Sequence, residues 1–138
     1  MRLEQSVSIC FSKYATFSGR ASRSEYWWFV LFITILTIFF RFADGNMAAD
    51  QMNLGPLEGI WSLVTIIPYL AVWVRRLHDV SFSGYWPLYY ILAIVIVYSF
   101  LSISVAITAT VMLGLFSLYQ VVIKGNEGEN EYGPDPLK

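Results

Sequence analysis

The sequence predicts an all-α, polytopic membrane protein: four transmembrane helices preceded by an amphipathic helix in the membrane interface. Three observations carry that class. Of the 138 residues, 57% are hydrophobic and 14% charged, against about 45–50% and about 25% in an average soluble domain. The mean hydropathy is +0.55, and a small soluble domain has too little interior to hide so much apolar surface. The charges are also segregated, leaving uncharged runs at 26–40, 59–74 and 80–123. A span needs roughly 20 apolar residues, so the last run, 44 residues long, holds two. The predicted spans are 23–42, 56–77, 86–101 and 103–123. They form one membrane domain, with residues 1–21 as interfacial helix and loop, 22–123 as the bundle and 124–138 as an acidic tail.

Each element has a local reason. Leu3, Val7, Cys10, Phe11, Tyr14 and Phe17 recur at steps of three and four, which lines one face of a helix; such a helix lies in the interface rather than crossing it. The segment has no apolar h-region and no small-residue cleavage site, so no signal peptide is expected. Ser22-x-x-Glu25 before an apolar run is a capping box that opens the first span. Pro56 and Pro87 fall near first helical positions, where proline's missing N–H costs nothing. Pro68 lies inside the second span and frees the carbonyl of Val64, predicting a kink. The turn between the third and fourth spans, near 98–104, has neither Gly nor Pro.

Orientation follows from the basic residues. Arg2, Lys13, Arg20 and Arg23 precede span one, Arg75 and Arg76 follow span two, and Lys124 and Lys138 follow span four. With four spans these eight of the nine basic residues share a side, leaving Arg41 opposite, so both termini are expected inside. Trp27, Trp28, Trp73, Tyr85 and Trp86 then form an inner aromatic belt, with Trp61 near the outer end. The net charge of −1 argues against nucleic-acid binding. The single Cys10 permits no internal disulfide.

The polar motifs collect on that inner face. F-S-G-R-A-S-R-S-E-Y-W-W at 17–28, R-R-L-H-D at 75–79 and G-x-x-G-x-N-x-Y-G-P-D-P at 125–136 resemble domain-of-unknown-function family 805, small bacterial inner-membrane proteins. The third hydrophobic region is longer here than the family pattern. The resemblance implies an inner-membrane location and brings no reaction, cofactor or substrate.

Two readings fit Arg75, Arg76, His78 and Asp79. They form a positive-inside anchor with Arg75 and Asp79 paired at i, i+4, or, with Arg20 and Arg23, an anion site for lipid phosphate. Arginine suits the second, because its planar fork gives paired hydrogen bonds to phosphate, and basic clusters beside spans attract anionic lipid. Gly19, Ser22, Glu25, Asp79, Gly133, Pro134 and Asp135 shape the motifs around it. Glu25 reads as a cap or as a partner of Arg75 or Arg76. The tail, with Glu127, Glu129, Glu131 and Asp135, reads as a flexible acidic end or as a turn docking on the arginines. His78 and Cys10 cannot supply a zinc site, and no metal or cofactor is expected. Ser102, Ala106, Thr110 and Gly114 recur every four residues, a small-residue stripe for close helix contact within the chain or between copies. Phe-Ser-Gly recurs at 17–19 and 82–84.

Ionisable residues are missing from the middle of every predicted span, which disfavours an ion-coupled carrier. An enzyme on lipid headgroups would use His78 and Asp79 as acid and base, yet no nucleophile or metal completes it. The expected function is therefore a non-enzymatic membrane protein, an accessory or envelope-homeostasis component binding lipid or a membrane-protein partner at its inner face. A small transporter or channel, competent only as a homo-oligomer, is the alternative. The topology carries a test: a reporter enzyme active only outside the cytoplasm stays silent when fused after Lys138 and is active within 44–55. Activity at the C-terminal fusion overturns four spans.

Overall fold

The computed structural model describes residues 1–45 and 54–137. Lys138 and the 46–53 part of the loop therefore lie outside the described residues. The order is α1 (Leu3–Ser12), α2 (Arg23–Ala43), α3 (Pro56–Asp79), α4 (Trp86–Phe100) and α5 (Ile103–Val122), with no strand among the described residues. Three helices are long and apolar enough to cross a membrane: α2 with 21 residues, α3 with 24 and α5 with 20. α4 has 15, about 22 Å at 1.5 Å per residue. The chain divides into two compact units, Met1–Thr16 with Ser24–Val72 and Phe17–Arg23 with Trp73–Lys138.

In the first unit α1 ends at Ser12, so Tyr14 and Phe17 lie beyond the helix whose face they were expected to extend. Its buried positions are Ser6 and Cys10, and both meet Glu25. The Ser6 hydroxyl donates to the Glu25 carbonyl, and the Cys10 thiol lies 3.9 Å from Glu25 Oε1. Beside them Phe11 sets its edge against Phe29 at 5.6 Å. Tyr14 takes a different partner: its hydroxyl donates to the Val64 carbonyl at 2.6 Å. That is the carbonyl left without a helical N–H by Pro68, and an apolar surround makes an unmet carbonyl costly.

α3 begins at Pro56 as expected, and the other end of the loop supplies its cap. The Asp44 carboxylate accepts the Leu57 and Glu58 N–H groups at 3.2 and 2.9 Å, meeting donors a first turn leaves open. Gly55 is required there, because a Cβ would overlap the Asp44 side chain.

In the second unit α4 packs on α5. Trp86 meets Phe116 at 5.3 Å, and the Tyr90 hydroxyl donates to Gln120 Oε1 at 2.7 Å. Trp73 stacks on Tyr90 with centroids 5.9 Å apart. Only Leu101 and Ser102 separate the two helices, both with extended backbone. A turn this short needs neither Gly nor Pro, since neither residue enters the left-handed region. Pro87 falls at the second position of α4 rather than the first.

The small-residue stripe divides along α5. Ala106 is fully buried, whereas a side chain added at Gly114 meets nothing within 4 Å. Ala106→Leu is therefore expected to lower stability by about 1–3 kcal/mol through overpacking, and Gly114→Leu to leave it unchanged. Thermal unfolding in detergent checks both, and an equal loss at Gly114 would mean the stripe is packed along its whole length.

Candidate functional site

The polar motifs of the second unit converge on one carboxylate. Asp79 closes the last turn of α3, where the negative end of the helix dipole disfavours an anion. Two guanidiniums offset this. Arg20, from the loop before α2, donates through Nε to Asp79 Oδ1 at 2.9 Å, and its Nη2 lies 2.9 Å from the same oxygen. Arg76, one turn back on α3, pairs with Oδ2. All three side chains are at most 5% exposed. The helical partner of Asp79 is thus Arg76 at i−3; the sequence put Arg75 there at i−4. Arg75 is fully buried, and its carbonyl accepts the Ala21 N–H at 3.0 Å.

The arginines extend the knot into the tail through backbone carbonyls. Arg20 Nη1 donates to Gly128 and, at 3.3 Å, to Gly133, and Nη2 donates to Asn126. With the Nε hydrogen bond to Asp79, four of the five N–H groups of the Arg20 fork donate to an acceptor, and Nη2 also lies in ion-pair contact with the same carboxylate. Arg76 donates to the Val121 carbonyl at 3.1 Å and to that of Ile123, so it holds the end of α5. Asn126 N–H returns to the Asp79 carbonyl at 2.9 Å. Gly125 makes that approach possible, because a Cβ there would run into the Asp79 carboxylate.

The tail is a folded turn. Asn130 and Gly133 exchange backbone hydrogen bonds of 3.1 and 3.0 Å, with Gly133 at φ +128, a conformation open to glycine. Asp135 accepts from the Gly128 N–H at 3.2 Å and the Leu137 N–H at 3.0 Å, and Pro134 falls inside this turn. Asn130 Nδ2 donates to the His78 carbonyl at 2.9 Å, and Tyr132 stacks on the His78 ring with centroids 4.0 Å apart. Burial, with the Glu131 carboxylate second, pushes the Tyr132 phenol up from 10.0, so it stays neutral. Lys124 bonds Glu127 and holds that carboxyl below its ordinary value by this hydrogen bond and its charge.

The structure thus gathers Arg20, Arg76, His78, Asp79, Gly133 and Asp135 in one network. Ser22 and Arg23 line a cleft of about 80 Å³ beside it, with Arg76, Lys124 and Asp135. Glu25 belongs to the first unit. Asn130 stood in the tail motif with no role assigned to it, and sequence reasoning missed Asn126; the signal was there in asparagines set among glycines, a turn-forming pattern.

Fold and site define an all-helical, polytopic membrane protein with two arginines and an aspartate drawn into one buried knot. The chain belongs to the family described as Protein of unknown function (DUF805), whose model matches residues 14–134. It is 30% identical over 124 residues to inner membrane protein YhaH of Escherichia coli K12, covering 89% of this chain and 88% of that one. Inner membrane protein YhaI of the same strain is 32% identical over 123 residues, covering 89% and 87%. No solved structure matches.

The knot has a measurable weight. Removing one member of a buried ion pair costs about 3–5 kcal/mol, because the remaining charge is stranded. Asp79→Ala strands two, so thermal unfolding should show a loss at the upper end of that range. An unchanged midpoint would mean the guanidiniums reach water.

Proposed function

We propose that the chain is a non-enzymatic inner-membrane component that crosses the bilayer four times, with both termini cytoplasmic, and holds anionic lipid at its inner face under control of its tail. The route of the chain supports four crossings. Arg76, at the end of α3, bonds carbonyls at the end of α5, so α4 and α5 leave that end and return to it. A spanning α5 then requires α4 to cross as well. Its 15 residues are accommodated by local thinning of the bilayer, and the uncharged stretch from Val80 to Ile123 agrees. The positive-inside bias of the basic residues supports a cytoplasmic position for the shared end.

The observation that carries the lipid reading is the occupancy of the Arg20 fork. Three of its contacts go to tail carbonyls, so the tail holds donors that would otherwise suit a phosphate. Arg23, Arg76 and Lys124 line the adjoining cleft and supply further charge. The tail is a latch over this site and releases Arg20 when it lifts. The same geometry serves an accessory role, since a lipid or a partner that competes for the fork frees the tail.

Truncation after Lys124 should raise retention of phosphatidylglycerol about fivefold, the effect of one freed cation at about 1 kcal/mol. Arg75→Gln with Arg76→Gln should lower it. Native mass spectrometry of protein from mixed-lipid nanodiscs reads both. Retention unaffected by the double substitution makes the arginines topological anchors alone.

A further inference from the structure

The repeated tripeptide Phe-Ser-Gly meets at His78. The Gly19 carbonyl of the first copy lies 3.0 Å from His78 Nδ1, and a carbonyl only accepts, so Nδ1 carries the hydrogen. In a neutral imidazole this leaves a lone pair on Nε2. Gly84 of the second copy lies beside that nitrogen: a Cβ there would come within 2.8 Å of Nε2 and of Val74 Cγ1. Nε2 has no hydrogen-bond partner among the described residues. It faces a groove of about 530 Å³ lined by Phe17, Ser18, Ser83, Tyr85 and Tyr132.

This lining has a definite chemical preference. None of its residues is Lys or Arg, so a phosphate finds no cation in the groove. What the groove offers is an acceptor nitrogen, serine hydroxyls and aromatic faces, with the Glu131 carboxylate near enough to act on the imidazole. Those groups complement a hydrogen-bonding cation: the lone pair accepts its N–H, and the aromatic faces attract its charge. Phe17, in the loop before α2, and Tyr85, at the start of α4, are 43% and 66% exposed, and Tyr85 is the kind of amphipathic ring that meets the headgroup level. We propose that this groove binds the primary ammonium headgroup of a zwitterionic lipid, phosphatidylethanolamine being the simplest, with His78 Nε2 as acceptor and Phe17, Tyr85 and Tyr132 as cation–π walls. His78, which the sequence grouped with the arginines, thereby serves a ligand of opposite sign. The groove and the Arg20 fork use different side chains but share the tail, since Tyr132 walls the one and the Gly133 carbonyl holds the other.

Full-length protein in nanodiscs of phosphatidylethanolamine and phosphatidylglycerol should retain the former, read by native mass spectrometry. Gly84→Ala crowds Nε2 and should abolish that retention. Tyr85→Leu changes an exposed side chain without touching the fold and should weaken it roughly two- to fivefold, the worth of one exposed cation–π contact. Phosphatidylcholine, whose methylated nitrogen has no N–H to donate, should not replace it. Displacement by free ethanolamine at millimolar concentration would assign the same chemistry to a soluble amine. Failure of the parent to retain phosphatidylethanolamine, or unchanged retention of it in Tyr85→Leu and Gly84→Ala of parental thermal stability, overturns the proposal, whatever the retention of phosphatidylglycerol.

Discussion

A carboxylate buried at the end of a helix needs strong compensation, and the second unit is organised around supplying it to Asp79. Desolvating an ion costs several kcal/mol even after relaxation, and is offset only where geometry and hydrogen bonding are complete. Here one oxygen faces Arg20 and the other Arg76. Each arginine must then satisfy its own remaining donors, and each does so on backbone carbonyls: Arg20 in the tail, Arg76 at the end of α5. One charge thus fixes the end of α3, the loop before α2, the end of α5 and the fold of the tail.

The first unit solves a smaller version of the same problem. Pro68 removes a helical hydrogen bond where water is scarce, and the Tyr14 hydroxyl meets the freed Val64 carbonyl. At the far end of α3 the Asp44 carboxylate meets the N–H groups of Leu57 and Glu58. In both places a short polar contact repairs a backbone defect, and the surrounding rings, such as Phe11 against Phe29, fill space around it.

Helix positions were legible because each has a one-dimensional signature. The predicted span starting at 23 and the one starting at 56 begin where α2 and α3 do, and α4 and α5 differ from expectation by a residue at their C-terminal ends. The motifs that carry the site were legible as residues: Arg20, Arg76, His78 and Asp79 stand out in an uncharged background. Their pairing was not. Arg75 and Arg76 are adjacent and equally basic, and only the phase of the last turn of α3 decides which faces Asp79. Nor was the packing of Ala106 separable from that of Gly114, because a stripe of small residues looks the same whether a neighbour covers it or not. The length of α1 was overestimated because Tyr14 keeps the period of the helix face while serving α3 instead.

Arg20 holds the tail by the oxygens of residues 126, 128 and 133, groups that every amino acid carries. Drift at Glu127, Glu129 or Glu131 therefore passes unseen by the clasp, whereas insertion or deletion of a single residue between Asn126 and Gly133 breaks the spacing of those oxygens. The tail is constrained in length and backbone shape and free in surface chemistry. Relatives can thus diverge in what this segment displays on its surface while folding it in the same way.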